Sequence, residues 1–211
     1  MNRYVFLGII FLFVNPFAGF SQQEKMRESE AKQVKIKIIE KSKSIITIVS
    51  KFEQTKHLDF LSNDIKSGGN LVFKSPNLIK WEYKTPFNYS VVFKNDKLFI
   101  NDDGDKSKIN LGSNKIFKSL NNLIIKSVKG DMFDEDQFDI HYFQNSKNYV
   151  IKFTPKDESL QSFIHDFILS FDKKSLQVVE IRMMENEEDY TNIKFIDQKI
   201  NTKVDDEAFE N

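Results

Sequence analysis

The side chains best suited to chemistry in this sequence are three histidines. His57, His141 and His165 fall on three separate predicted strands, and none has a second histidine at the spacing of metal ligands. A structural role explains each of them better than a metal site, because an isolated ligand is weak evidence. The chain contains no cysteine, which excludes thiol catalysis and cysteine-bound zinc.

Carboxylates are numerous, but they cluster at predicted turns, where solvated polar residues are common. The groups are Asp102, Asp103 and Asp105; Asp131 with Asp134–Asp136; and Glu185 with Glu187–Asp189. The DDGD run lacks the spacing and distal glutamate of an EF-hand loop, and nothing selects two carboxylates as a glycosidase pair. No nucleophile elbow, P-loop or dinucleotide fingerprint occurs. The residues therefore predict a protein that is not an enzyme and has no metal or cofactor.

The composition predicts a folded protein with a substantial core. The chain has 211 residues, of which 40% are hydrophobic and 13% aromatic, with 21 phenylalanines and one tryptophan. Lysine and arginine balance aspartate and glutamate at 31 each, so there is no electrostatic basis for binding nucleic acid.

The N-terminus has the order of a secretory signal peptide. Arg3 precedes a short apolar run at residues 5–14, and small residues follow at Gly19 and Ser21. We expect residues 1–21 to be removed and the protein to be exported, since the apolar run is short for a membrane span. An uncleaved anchor is the alternative.

Two segments have helical apolar spacing. Residues 24–52 predict an N-terminal helix, and residues 114–129 predict a second one that Gly130 ends. The stripe of the first consists of Val34, Ile38, Ile45, Val49 and Phe52. The apolar face of the second consists of Ile116, Leu120, Leu123, Ile124 and Val128.

From about Lys51 the apolar period is otherwise two, which predicts strands. The predicted turns are at Gly68-Gly69, 94–97, 145–148, 172–175 and 186–189. The result is a mainly β domain over residues 22–211, with one helix before an antiparallel meander and one inside it. Such a sheet must close or curl over its helices to protect its edges. A curled sheet of this size encloses more volume than its own side chains readily fill, which predicts an apolar cavity.

The order of motifs resembles the LolA-like family of periplasmic outer-membrane lipoprotein carriers. The matching residues are Phe52-Glu53-Gln54, Gly69–Phe73, Ser75–Leu78, Lys80–Tyr83 with Pro86, Val92–Leu98 and Val204–Phe209. The resemblance covers most of the chain after residue 21. It implies an incomplete β-barrel whose cavity binds acyl chains beneath a helical lid.

By this resemblance, the protein is a monomer that takes lipoproteins from an inner-membrane exporter to an outer-membrane acceptor. The cavity lining would be Leu71, Phe73, Trp81, Tyr83, Val91, Phe93, Leu98, Ile100, Ile151, Phe153, Phe167, Leu169 and Ile181. The lid would include Ile116, Leu120, Leu123 and Ile124. Alternatives with the same fold are a carrier of another acylated lipid and an envelope domain that senses lipoproteins.

One position departs from the family pattern. Some members have an arginine before the Pro-Asn pair that ties the lid closed, and this chain has Ser75 there. A serine cannot supply the same fork of donors. Lys74 and Lys80 are the candidates to replace it, although Lys80 should point away from the Trp81 side of its strand.

Overall fold

The structure is a computed structural model of the whole chain. It describes residues 23–95, 97–110, 123, 125–126 and 132–210. The predicted signal peptide, residues 1–21, lies outside the described residues. So do most of the residues of the predicted second helix, including Ile116, Leu120, Ile124 and Val128.

Helix α1 spans Glu28–Lys43. Arg27 and Glu30 bond to each other across its first turn, with Arg27 Nη2 2.7 Å from Glu30 Oε1. Acidic residues in the first turn and lysines in the last turn suit the helix dipole. The prediction that this helix continues to residue 52 is wrong, because residues 47–57 form a strand.

The described residues form twelve strands and two further short helical turns. The strands are β1 Glu24–Lys25, β2 Thr47–His57, β3 Ile65–Lys74, β4 Leu78–Thr85, β5 Tyr89–Lys94, β6 Lys97–Asp102, β7 Asp105–Asn110, β8 Phe138–Gln144, β9 Asn148–Pro155, β10 Asp166–Asp172, β11 Val178–Met184 and β12 Tyr190–Ile200. Helix α2 spans Glu158–Gln161, and a 3₁₀ helix spans Asp206–Phe209.

All twelve strands belong to one antiparallel sheet with the order β1-β8-β9-β10-β11-β12-β2-β3-β4-β5-β6-β7. Strands β1 and β7 are its two edges and do not pair with each other, so the sheet is not a closed barrel. The predicted fold class, a mainly β protein with a curled antiparallel sheet and an incomplete barrel, is confirmed.

Two connections cross from one part of the sheet to another. Helix α1 links the edge strand β1 to the central strand β2. Residues 111–137 link β7, at one edge, to β8, beside the other edge. We call the sheet face that packs against α1 the inner face and the opposite one the outer face. The buried core lies on the inner face.

Gly68 and Gly69 lie inside β3, so the prediction of a turn there is wrong. The β3–β4 register shifts between them, which is a bulge. A Cβ on Gly69 would lie 1.8 Å from the Glu82 carbonyl oxygen, so only glycine permits this approach of β4. The two glycines therefore bend the sheet where the sequence alone indicated a break in it.

Candidate functional site

Strand pairing aligns apolar side chains in rows across the inner face. Leu71 pairs with Trp81, Trp81 with Val91, and Val91 with Ile100. Since side chains alternate between faces along a strand, register partners share a face. A second row, two residues further along each strand, consists of Phe73, Ile79, Phe93 and Leu98.

The other half of the sheet continues the apolar surface. Ile151 pairs with Leu169, and Leu169 pairs with Ile181. Phe153 pairs with Phe167 in the neighbouring row. Ile151, Phe153 and Leu169 have no exposed surface. The two halves meet where β12 pairs with β2.

All thirteen residues predicted to line the cavity therefore belong to one apolar core on the inner face. Ten of them are buried, and Tyr83, Val91 and Ile100 are half-buried. The structure thus brings the predicted residues together. Contact of these residues with a lipid remains a prediction.

Trp81 lies at the centre of an aromatic cluster that joins three strands of the inner face. Its ring meets Phe52 edge to face, with centroids 4.9 Å apart, and Phe195 at 6.1 Å. Tyr83 contacts Phe52 from the other side at 5.0 Å. The large, rigid rings of this cluster pack against one another, so Trp81 is a structural part of the apolar surface. Because it is the single tryptophan, its fluorescence reports on that surface.

The hydroxyl of Tyr83 has a partner inside this surface. It donates to Gln54 Oε1 at 3.0 Å. Burial, with a smaller effect of the neighbouring Tyr89, raises the pKa of Tyr83 to about 12. The phenol is therefore neutral at physiological pH and has no role as a base.

Helix α1 covers the inner face closely. Val34 and Ile38 are buried against the sheet, and a partly open cavity of about 40 Å³ lies beneath the C-terminal half of the helix. Ligand pockets for small molecules measure roughly 300–1,000 Å³. The unfilled apolar volume that the sequence predicts is therefore not found beneath α1, because side chains of this helix occupy the space.

The second covering segment comes from the connection between β7 and β8. Leu123 and Ile125 have helical backbone and are buried in the same core as the inner face. Met132 and Phe133 are buried there too, and Phe133 contacts Phe153 with ring centroids 5.6 Å apart. Of the predicted lid residues, Leu123 is thus placed over the inner face, and the rest lie outside the described residues.

Asn201 anchors the end of α1, and the sequence analysis missed it. Its Oδ1 accepts a hydrogen bond from Ile46 N at 2.7 Å, and its Nδ2 donates to Ser44 O at 2.8 Å. The two bonds satisfy backbone groups just beyond the helix. Ser75, at the family's arginine position, donates its own N–H to Ile46 O at 2.8 Å.

In the described part of the chain, Lys74 and Lys80 bond to the C-terminal segment. Lys74 Nζ bonds to Val204 O and Asp206 Oδ1 on the outer face, and Lys80 Nζ bonds to Glu210 O. Replacement of the family's arginine by either lysine stays a prediction, because most of the predicted lid lies outside the described residues. Both hold the C-terminal segment, whose Phe209 is buried.

Two of the three histidines are paired with an aspartate. His57 Nδ1 lies 2.8 Å from Asp64 Oδ1, and His165 Nδ1 lies 3.0 Å from Asp166 Oδ2. His141 lines an open groove of about 820 Å³ between the outer side of α1 and β8. Among the described residues, no group of three or more histidine and carboxylate side chains is placed to hold a metal ion.

Asp166 is the most buried carboxylate of the described chain. Burial alone raises its pKa, but bonds from Thr154, Lys152 and His165 outweigh this effect and hold the pKa below its ordinary value. The carboxylate therefore stays charged and links β9 to β10 on the outer face. We interpret the role of Asp166 as structural, because all of its bonding partners are side chains of the same part of the sheet.

The inner face is an apolar surface covered by α1 and by part of the β7–β8 connection, and sequence comparison identifies a family. Residues 42–211 match the family model of the outer membrane lipoprotein carrier protein LolA. The chain belongs to the LolA family. A relative from Francisella tularensis subsp. novicida, named an outer-membrane lipoprotein carrier protein, is 25% identical over 186 residues, which cover 82% of this chain and 80% of the relative.

Two solved structures are similar to this LolA family member, and the first of them shares its fold. An uncharacterized conserved protein from Thermus thermophilus superposes with a TM-score of 0.51 at 8% identity, covering 85% of this chain and 92% of that one. A LolA superfamily protein from Nitrosomonas europaea gives a TM-score of 0.46 at 10% identity, with 83% and 97% covered. None of the helices among the described residues is long and apolar enough to span a membrane.

Proposed function

We propose that this LolA family member is a periplasmic carrier that binds the acyl chains of lipoproteins and takes them from the inner to the outer membrane. The observation that carries the proposal is the inner face itself. Its apolar rows extend across both halves of the sheet and are covered by connecting segments rather than by a second sheet. The segments that cover such a surface can be replaced by acyl chains, and this replacement requires no reactive group.

The energetics suit a carrier that must also release its cargo. Each buried CH₂ group contributes roughly 0.8 kcal/mol. In the closed structure α1 already buries Val34 and Ile38 on the inner face. An incoming chain must therefore replace existing apolar contacts, so that only the difference between the two sets stabilises the complex.

The remaining parts of the proposal follow from the same role. The protein is a single carrier domain over residues 22–211 after removal of a signal peptide, and it acts as a monomer. Its partners are an inner-membrane exporter and an outer-membrane acceptor. It catalyses no reaction and binds no nucleic acid.

Trp81 provides a direct test, because it is the only tryptophan and lies within the inner face. A synthetic triacylated lipopeptide with brominated acyl chains should quench Trp81 emission saturably, and the unbrominated lipopeptide should reverse the effect. The same peptide without acyl chains should not compete. A brominated lipopeptide that leaves Trp81 emission unchanged in the folded protein would contradict acyl binding on the inner face.

A matched variant controls for quenching at the surface. Phe99 lies on the outer face of β6, between Leu98 and Ile100 on the inner face. The double variant Trp81→Phe, Phe99→Trp moves the single tryptophan from the inner to the outer face. It should bind the lipopeptide with little quenching, whereas equal quenching would indicate non-specific adsorption.

The cargo is tested separately from the binding surface. Native mass spectrometry of the protein purified from its own periplasm should show a bound lipoprotein. A co-purified lipid of another class would support lipid binding on the inner face and would show that the cargo is not a lipoprotein. A stable complex with a regulatory protein that forms only with lipoprotein would favour a sensing role.

A further inference from the structure

Apolar side chains are exposed at one end of the sheet, in two neighbouring hairpin loops. Phe60 in the β2–β3 loop is 78% exposed, and Phe87 in the β4–β5 loop is 77% exposed. Leu61 and Ile65 are exposed beside Phe60. Strands β2, β3, β4 and β5 are adjacent in the sheet, so both loops emerge side by side. We call residues 58–65 and 86–88 the docking face.

The longer loop of the docking face is held in place by the strands around it. His57 and Asp64 bond across its base at 2.8 Å. The N–H of Asp59 donates to Asp189 Oδ1 in the β11–β12 loop at 2.7 Å. Phe60 is therefore presented on a fixed loop, which lowers the entropy cost of binding a partner through it.

The loops at this end carry an unusual charge. The β2–β3, β4–β5, β6–β7 and β11–β12 connections, counted with the strand residue at each of their ends, contain nine carboxylates and no lysine or arginine, in a chain whose charges balance overall. The nine are Asp59, Asp64, Asp102, Asp103, Asp105, Glu185, Glu187, Glu188 and Asp189. The docking face is therefore an apolar centre between two acidic loops.

We propose that the docking face binds a protein partner that offers an apolar pocket surrounded by lysine or arginine side chains. Two exposed phenylalanines fit such a pocket, and complementary charges orient the encounter. The acidic loops oppose an anionic membrane surface, which attracts basic segments. They also oppose a symmetric contact with a second copy, because the same carboxylates would then face each other.

The inferred contact is small and suits a transient partner. Two aromatic side chains and their neighbours bury less surface than a stable interface, which needs roughly 1,200–2,000 Å². The inference does not depend on which lipid occupies the inner face, because Phe60 and Phe87 lie outside it. Loss of docking and loss of lipid binding can therefore be separated.

The test uses defined probes with the folded protein. A soluble amphipathic helix of leucine and lysine should bind, and its affinity should fall with added salt. The double variant Phe60→Ser, Phe87→Ser should weaken this binding at least about tenfold. The control variant Phe163→Ser, Ile196→Ser removes exposed apolar side chains elsewhere and should bind as the wild type does. Quenching of Trp81 by brominated lipopeptide should be the same in all three proteins.

Three results would overturn the proposal. One is equal binding of the leucine-lysine helix by the wild type and the Phe60→Ser, Phe87→Ser variant. Another is flotation with phosphatidylcholine vesicles containing phosphatidylglycerol that is lost in that variant, which would make the face a membrane contact. The third is a dimer in light scattering that the same variant dissolves. Binding that needs Phe60, Phe87 and the adjacent carboxylates Glu187 and Glu188 would support it.

Discussion

The side chain of Asn201 holds the end of α1 to the sheet by accepting a hydrogen bond from Ile46 N at 2.7 Å. Asn201 belongs to the chain just after β12, and Ile46 belongs to the link between α1 and β2. The covering helix is thus fixed at its C-terminal end by a residue that follows Ile46 by 155 positions. Its opposite end is fixed by β1, which pairs with β8.

Replacing Asn201 by alanine should loosen this attachment. The change removes both side-chain bonds and places a less suitable residue at a positive φ of 57°. We expect a loss of about 1–3 kcal/mol in the free energy of unfolding, measured with urea. Quenching of Trp81 by brominated lipopeptide should also become faster. Asn201→Gly separates the causes, because it removes the bonds while accepting the backbone angle.

Gly69→Ala should be among the most damaging single changes in the sheet. The new Cβ would meet the Glu82 backbone at 1.8 Å, and no side-chain rotation relieves that contact. We expect a loss of roughly 4 kcal/mol or more, or failure to fold. Gly104→Ala is the matched control: a Cβ there has nothing within 4 Å, but φ is +100°, so the loss should be about 1–2 kcal/mol. Equal losses in denaturant unfolding would show that the Gly69 contact is not a constraint.

Asp166 should contribute a pH-dependent part of the stability. Its folded pKa is below the ordinary value near about 4, so the unfolded chain takes up this proton first as the pH falls. The stabilisation is therefore complete above the unfolded pKa and is lost as the pH falls through the folded pKa. Unfolding free energies between about pH 7 and pH 2 should slope less steeply for Asp166→Asn than for the wild type.

Leu123 and Leu169 are both buried, but we expect them to respond differently to truncation. Leu169→Ala on β10 should cost about 2–5 kcal/mol, as other core truncations do. Leu123→Ala should cost less than about 2 kcal/mol, because a segment that yields to cargo belongs to the less stable part of the structure. It should also change the retention of lipopeptide. Similar losses for both variants, with unchanged retention, would make Leu123 an ordinary core residue.

The sequence predicts those elements whose signal is local. The alternation around Trp81 and the polar pair after Lys94 identify β4 and the β5–β6 hairpin correctly. Strand β7 escaped prediction because five of its six side chains are exposed and have no apolar alternation. The predicted helix extends to Phe52 because the apolar residues of β2 continue the helical spacing by chance. The β-branched run at 45–49 was the contrary signal.

Features that depend on distant partners were less accessible. The glycines at 68 and 69 resemble a turn until β4 is placed beside them. Asn201 has no motif, because its partners are determined by the return of β12 to β2. Cover of the inner face by α1 and Leu123 also depends on distant partners, because both pack against strands that are remote from them in the sequence. Exposure of Phe60 and Phe87 likewise needs the three-dimensional structure.

The pairing of β12 with β2 also determines when the molecule can finish folding. Strands β2–β7 and β8–β12 each pair with sequence neighbours, whereas the seam between Phe52 and Phe195 joins the two ends of the chain. Such distant pairing forms slowly, because a long loop must close first. In the export that we propose, which would begin at the N-terminus, the edge of β2 stays open until residues 190–200 have crossed the membrane. The complete sheet is therefore available only after translocation is nearly over, and a chain stopped before β12 would expose two long unpaired strands.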